Sequence, residues 1–217
     1  MRKWIIVLLA FALPGTECIA QLYIEPVIGY QQDINNHGRF TQINSGVQAA
    51  ISKSRHYELV LRLQKSWGIA YRSHDSSFTV NPSLGLYANA NKTILPDAWY
   101  FSIDHRFKLN SNNNKYQFSF LLLTGITVQK LTVNYQYDKD NYIILNPDQT
   151  QKKVGLSVGT GVEFMRFFDD NRLFVQLTIS SPPSGNRIKY PSSFSFMAPL
   201  AINAGYSILI KKKKHEK

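Results

Sequence analysis

The stretch VGLSVGTGVEFMRFFDDNRLFVQLTIS, residues 154–180, decides the fold of this 217-residue chain. Val154, Leu156 and Val158 alternate with small or polar residues, and the same alternation resumes over residues 173–180. Between the two runs lies a turn signal, Asp-Asp-Asn at 169–171. Side chains along a β-strand point to opposite faces in turn, so the stretch predicts an antiparallel hairpin with one apolar and one polar face.

The composition of the polar face indicates where the apolar face points. A soluble barrel buries its apolar side chains, whereas a membrane barrel turns them towards lipid. The polar rows of 154–180 carry Gly, Ser, Thr and Gln in preference to the Lys and Glu of a water-exposed strand. Small uncharged groups suit the crowded interior of a narrow barrel. The sequence therefore predicts an all-β fold, a single antiparallel up-and-down transmembrane β-barrel.

Nine runs along the chain alternate in the same way. They cover residues 22–31, 40–52, 57–67, 78–89, 99–109, 116–128, 154–168, 173–180 and 194–210. Single-chain bacterial barrels use an even number of strands, so either one run is not a strand or a tenth is hidden near Ile69 or within 131–153. We expect eight strands, with ten as the alternative, because eight leave an interior that side chains can fill. The polar-aromatic segment 131–153 could instead extend a hairpin beyond the membrane.

The first twenty residues have the pattern of a secretory signal peptide. Arg2 and Lys3 precede an apolar run over residues 4–13, which is too short for a permanent membrane helix. The segment ends Cys-Ile-Ala, and we predict cleavage between Ala20 and Gln21. The expected organisation is a cleaved signal peptide over 1–20, an outer-membrane barrel over 21–210 and a basic C-terminal tail over 211–217.

Cys18 is the only cysteine of the chain. It could carry a lipid anchor, but Glu17 directly before it is a poor fit to lipidation signals, so we interpret it as a small residue of the cleavage site. The mature chain would then have no thiol chemistry. The formal net charge of +11 favours anionic lipid head groups and lipopolysaccharide phosphates as partners. Nucleic acid is not an expected partner, because secretion separates the chain from it and no basic-aromatic binding motif is present.

Two groups of residues are candidates for function. The first is a lumenal polar network of charged residues on the predicted inner face: Glu25, Glu58, Arg62, Asp104, Arg106 and Glu163. We interpret it as a salt-bridged plug that offsets the burial of charge, with a gated polar pore as the alternative. The second is an aromatic girdle near the strand ends: Tyr30, Tyr57, Trp67, Trp99, Phe107, Tyr116 and Tyr206. His105 interrupts the apolar side of its strand.

Taken together, the signal ending at Ala20, the successive hairpins and the terminal strand through residues 202–207 resemble the small outer-membrane β-barrel family. That family includes OmpA- and OmpX-type barrels and PorT-like proteins, and the resemblance covers most of the mature chain. It implies location in the cell outer membrane and handling by the barrel assembly machinery. The typical terminal aromatic residue of the assembly signal is not the last residue here, because lysines 211–214 follow, so Tyr206 would have to serve.

One segment of the chain holds the residue types that nucleophilic catalysis uses. The loop predicted around His74-Asp75-Ser76-Ser77 holds a nucleophile, a base and a carboxylate, but polar loops contain such neighbours by chance. The remaining histidines lack the clustering that a metal site needs: His37, His56, His105 and His215. We therefore predict no enzyme activity, no metal and no cofactor.

The function expected is that of an outer-membrane barrel with a structural, adhesion or secretion-accessory role. Its lumen would be filled by side chains, and its exposed loops could bind a protein partner. The alternatives are an outer-membrane enzyme that acts on lipid A, and a soluble secreted barrel that binds a small apolar ligand.

Overall fold

The computed structural model describes residues 21–33, 40–52, 54, 56–79, 87–109, 115–144, 149–181 and 199–212. These residues form ten strands: β1 Gln21–Asp33, β2 Thr41–Ser52, β3 Tyr57–Gly68, β4 Tyr71–Thr79, β5 Tyr87–Lys108, β6 Tyr116–Gln136, β7 Tyr142–Ile143, β8 Gln149–Phe168, β9 Asn171–Ser180 and β10 Pro199–Lys212. No helix in this part of the chain is long and apolar enough to cross a bilayer.

Eight of the strands close into a barrel. Hydrogen-bonded neighbours follow the order β3-β2-β1-β10-β9-β8-β6-β5, and the additional pairing of β3 with β5 joins the two edges. All of these pairings are antiparallel. Closure removes the free sheet edges that would leave backbone groups unpaired. The predicted all-β fold and its eight-stranded, up-and-down barrel are confirmed.

Two strands lie outside the closed barrel. β4 follows β3 after a two-residue break and pairs with the part of β5 that extends beyond β3, while β7 pairs with the end of β4. Phe78 lies opposite Tyr87 in an antiparallel pairing, so the single strand predicted over 78–89 is wrong. Alternation continues on both arms of a hairpin, and a period of two therefore does not reveal where the chain reverses. Residues 80–86 lie outside the described part of the chain.

The two ends of the barrel differ. At the lower end, which we define by Gln21 and its partners in β2 and β10, the connections are short. β8 and β9 are joined by the predicted turn, where Asp169 adopts a φ of 54°, a left-handed conformation that Asp tolerates better than most residues. At the opposite, upper end β5, β6 and β8 continue past their neighbours. β6 runs to Gln136 and β8 starts at Gln149, so segment 131–153 does extend a hairpin.

Several sequence predictions fall on undescribed residues. The signal peptide over 1–20 and the tail beyond residue 212 lie outside the described ranges. The last predicted strand, 194–210, is represented by β10, which starts at Pro199 and continues two residues past Ile210.

Candidate functional site

The wall of the barrel separates apolar from polar side chains, with the apolar ones outside. Leu156 has 60% of its surface exposed, and its neighbours in the alternation, Val154 and Val158, are similarly exposed. On the facing strand Leu177 is exposed, whereas Gln176 is fully buried. This is the reverse of a soluble barrel, in which the apolar rows would form the core.

Arg106 lies at the centre of the lower lumen and is fully buried. Its guanidinium group donates to Glu58 Oε2 at 2.6 Å, to Glu25 Oε2 at 2.9 Å and to Glu163 Oε2 at 2.9 Å. The three carboxylates come from β1, β3 and β8, so one side chain connects strands on different sides of the barrel. Charge-assisted hydrogen bonds of this kind are about twice as strong as neutral ones.

A second buried arginine completes this group. Arg172 donates to Glu58 Oε1 at 2.7 Å and to Glu25 Oε1 at 3.0 Å, and its guanidinium group lies 3.7 Å from the centre of the Tyr23 ring. Lys108 contacts Glu58 Oε1 at 2.7 Å. The sequence prediction omitted Arg172 because it began the strand after the turn at residue 173. The alternation itself indicated that Arg172 faces inward, since it is in phase with the buried residues 174 and 176.

The pair of Arg62 and Asp104 lies higher in the lumen, with 2.8 Å between Nη2 and Oδ2. Arg62 also donates to Gln176 Oε1 at 3.1 Å, and the Gln176 amide donates to Glu163 Oε2 at 2.6 Å. The glutamine therefore links the pair to the Arg106 group. The structure brings the six predicted residues into one lumenal charge network with two further cations: Glu25, Glu58, Asp104, Glu163, Arg62, Arg106, Arg172 and Lys108. Four carboxylates thus face four cations.

Above this network, uncharged polar side chains project into the lumen. Gln31 bonds to Gln42 and donates to the Tyr100 hydroxyl at 2.9 Å, and Gln64 donates to Asn203 at 3.1 Å. The cavity between these groups measures about 40 Å³, which is room for a few water molecules.

An apolar cluster covers the upper end of this polar interior. Phe40, Ile94, Leu131 and Val133 are all buried and pack together, with Tyr71 against them. The rings of Phe40 and Tyr71 meet edge to face, with their centres 6.0 Å apart. The lumen is thus layered: charged below, amide-rich in the middle and apolar at the top.

The seven aromatic residues predicted for the girdle occupy two levels. Strand register aligns Tyr30 and Trp67 through Ile43, and Trp99 is near them at the upper level. The lower level holds the remaining four: Tyr57, Phe107, Tyr116 and Tyr206. Ten residues separate Tyr57 from Trp67 on β3, or about 33 Å along a strand, which a tilt of about 40° reduces to about 25 Å. That is the height of the apolar band in transmembrane barrels.

His105 interrupts the apolar outer rows close to the lower aromatic level. The Tyr57 hydroxyl lies 2.7 Å from His105 Nδ1, a diagonal contact between β3 and β5, because Tyr57 is opposite Phe107 and His105 is opposite Leu59. A polar group that faces an apolar medium is tolerated when it is hydrogen-bonded. The partner tyrosine therefore explains how the histidine fits on this face.

The four residues that the sequence offers for catalysis do not form a loop. His74, Asp75, Ser76 and Ser77 lie within β4, paired with β5, so the loop predicted there is wrong. Among the described residues no three side chains of the His, Cys, Asp or Glu type are grouped for a metal ion. His37 and His215 lie outside the described ranges.

Comparisons with known proteins identify the architecture. No protein-family model matches the chain, and no curated protein matches it by sequence. A major outer membrane protein from Thermus thermophilus superimposes with a TM-score of 0.51 at 11% identity, over 88% of this chain and 99% of that one. The fold is that of a small outer-membrane β-barrel.

Two further solved structures of such barrels are similar to this one. The attachment invasion locus protein Ail of Yersinia pestis, crystallised with the heparin analogue sucrose octasulfate, gives a TM-score of 0.46 at 11% identity, over 88% of this chain and 99% of that one. The N-terminal β-barrel domain of Pseudomonas aeruginosa OprF gives 0.42 at 12% identity, over 87% and 97%.

Proposed function

We propose that this chain is an integral outer-membrane barrel that acts through its upper end, with a lumen closed by side chains. One observation carries the proposal: apolar side chains cover the outside between two aromatic levels, while four carboxylates and four cations are enclosed within. Only an apolar medium makes that distribution favourable, because exposed apolar surface is unfavourable in water.

The orientation follows from the unequal ends. Transmembrane barrels of this type have short turns on the periplasmic side and longer loops outside the cell. The lower end, with both described termini and the two-residue turn between β8 and β9, fits the periplasmic side. The signal peptide predicted over 1–20 would deliver the chain there. The barrel assembly machinery would then insert it, with Tyr206 near the end of the last strand.

A plugged lumen fits the interior better than a gated pore. Opening a path past Arg106 would separate a fully buried guanidinium group from three carboxylates. Breaking one buried pair costs about 3–5 kcal/mol, and here several contacts would have to break together. The network instead holds strands from different sides of the barrel at fixed spacing, which is a structural role.

The upper end is the part available to a partner. There β4, β5, β6 and β8 project beyond the upper aromatic level, and Arg72, His74 and Asn91 are exposed on them. A rigid extension that presents polar side chains suits an adhesion or secretion-accessory role towards a protein partner. Lipopolysaccharide is the second partner expected, because it forms the surroundings of the outer rim.

The alternatives predict different behaviour. If the chain were a lipid A enzyme, substitution of His74 or Ser76 would change the lipid A composition of the cell. We expect these substitutions to leave lipid A composition unchanged. A soluble carrier would be released with the periplasmic contents. We expect neither result, since the exposed apolar rows require lipid or detergent.

Membrane fractionation with heat-modifiable gel mobility tests the proposal. The chain should remain with the outer membrane after high-salt washing, and should migrate differently before and after boiling. Reconstitution into a planar bilayer should give no steady conductance. Release without detergent would refute the membrane assignment, whereas a stable conductance would refute the closed lumen alone.

A further inference from the structure

Two lysines face each other on the outer surface just above the upper aromatic level. Lys130 on β6 is paired in register with Lys152 on β8, and both side chains are exposed. Like charges directly opposite one another destabilise a sheet. Asp97, the β5 residue opposite Lys130, has its carboxylate 3.2 Å from Lys65 Nζ. The pair therefore forms a cationic site at the rim that an anion between the two lysines would stabilise.

An apolar groove on the outer wall spans β1, β2, β3, β5 and β6, and reaches β8 at Leu156. It has a volume of about 470 Å³, within the range of about 300–1,000 Å³ that small-molecule sites occupy. One row of its lining runs across β3, β5, β6 and β8: Leu63, Phe101, Ile126 and Leu156. Thr124 is a small residue on the groove floor, one step lower on β6.

Strand register places the β6 and β8 edge of the groove beneath the lysines. Ile126 and Lys130 share the outer face of β6 and are four residues apart, or about 13 Å along the strand. Leu156 and Lys152 are related in the same way on β8. A molecule that extends along these two strands would therefore contact the cations with one end and the apolar groove with the other.

We propose that this face binds one lipid of the outer leaflet, with its phosphate between Lys130 and Lys152 and an acyl chain in the groove. The inference rests on the membrane assignment above. A lipid fits better than a soluble anion because the site has both a charged and an apolar part, and the two lie at the depths of head group and chain. It fits better than a protein partner because the groove lies between the aromatic levels, where the barrel is surrounded by acyl chains.

Native mass spectrometry of the mature protein, refolded in detergent, tests the site with three probes. These are lipid A with two phosphates, the same lipid without phosphates, and inorganic phosphate. We expect 1:1 binding of the phosphorylated lipid. Replacing both Lys130 and Lys152 by Gln should weaken it about tenfold or more, because each lysine near a lipid surface contributes about 1 kcal/mol. Thr124→Trp, which fills the groove, should weaken it as well.

The matched control replaces two exposed cations outside the site by Gln, Lys139 at the upper end and Arg166 at the lower end, and should bind the lipid as the unchanged protein does. All variants are first checked for heat-modifiable mobility, so that loss of the fold is recognised. Equal binding by the double lysine variant and the control, or equal binding of the phosphate-free lipid, would overturn the proposal. Displacement of the lipid by inorganic phosphate, with no effect of Thr124→Trp, would also overturn it. If the protein still fractionates with the outer membrane but gives these results, the lipid site is refuted and the membrane assignment stands.

Discussion

Replacement of Arg106 by methionine is expected to destabilise the barrel strongly. The guanidinium group is fully buried and contacts Glu25, Glu58 and Glu163. Methionine fills much of the same volume but leaves the lumenal charge network with four carboxylates and three cations. Loss of one partner from a buried ion pair costs about 3–5 kcal/mol. Against a total stability of about 5–15 kcal/mol, that is a large part of the folding free energy.

A compensating substitution separates charge from packing. Among the described residues Glu163 forms its ion pair with Arg106 alone, whereas the other two carboxylates also contact Arg172. Adding Glu163→Gln to Arg106→Met therefore restores equal numbers of buried charges. We expect the double variant to recover about 1–3 kcal/mol relative to the single one, the size of coupling found between contacting residues.

Urea titration of the protein in phospholipid vesicles measures these free energies of unfolding, through the fluorescence of Trp67 and Trp99. Arg166→Met is the matched control, since Arg166 is exposed at the lower end and stacks over Phe168 at 4.8 Å. It should cost less than about 1 kcal/mol. An Arg106→Met variant within about 1 kcal/mol of the unchanged protein would refute the role of the network. A double variant no more stable than the single one would refute its explanation by charge balance.

Three further predictions concern the wall. Leu61 lies on the outer face midway between the aromatic levels, and Leu61→Arg should lower the free energy of unfolding in vesicles by about 2–4 kcal/mol. Ile143 is similarly exposed but lies above the rim, so Ile143→Arg should lower it hardly at all. Equal losses for the two variants would contradict the lipid-facing assignment. Tyr57→Phe should lower the free energy of unfolding by about 1–2 kcal/mol in the same assay, because it leaves His105 without its hydrogen-bond partner. In a protein that already carries His105→Leu, Tyr57→Phe should cause no further loss. Gly205→Val should lower the yield of the heat-modifiable form on refolding. The Cβ of the valine would collide with a neighbouring aromatic ring and with a backbone carbonyl. An unchanged yield would show that the wall can move there.

Local sequence predicted the strands and their faces because alternation is a property of each strand by itself. Residues 154–180 became β8 and β9 with the apolar rows outside, as the composition of the polar rows indicated. The six charged residues were predicted to face inward by the same reasoning. Arg172 follows the same alternation, but the predicted strand begins at residue 173, two residues after β9 does, and so leaves it out.

Other features depend on information that no single strand contains. Period-two alternation gives the face of a residue but not its height in the barrel, which is set by the stagger of neighbouring strands. The contacts of Arg106 with β1, β3 and β8 therefore could not be read from the chain. The reversal between β4 and β5 was missed for a related reason, since Phe78 and Tyr87 continue one alternating pattern although they lie on different strands.

The unequal strand lengths have a consequence for how the barrel meets its neighbours. β5, β6 and β8 are 20–22 residues long, while β1, β2, β9 and β10 are 10–14, so among the described residues the strands project from one side of the cylinder. A neighbour in a crowded membrane would meet these projecting strands above the bilayer when it approaches from that side. The described strands therefore make the two sides of the barrel different above the bilayer, although the wall between the aromatic levels is largely apolar on both.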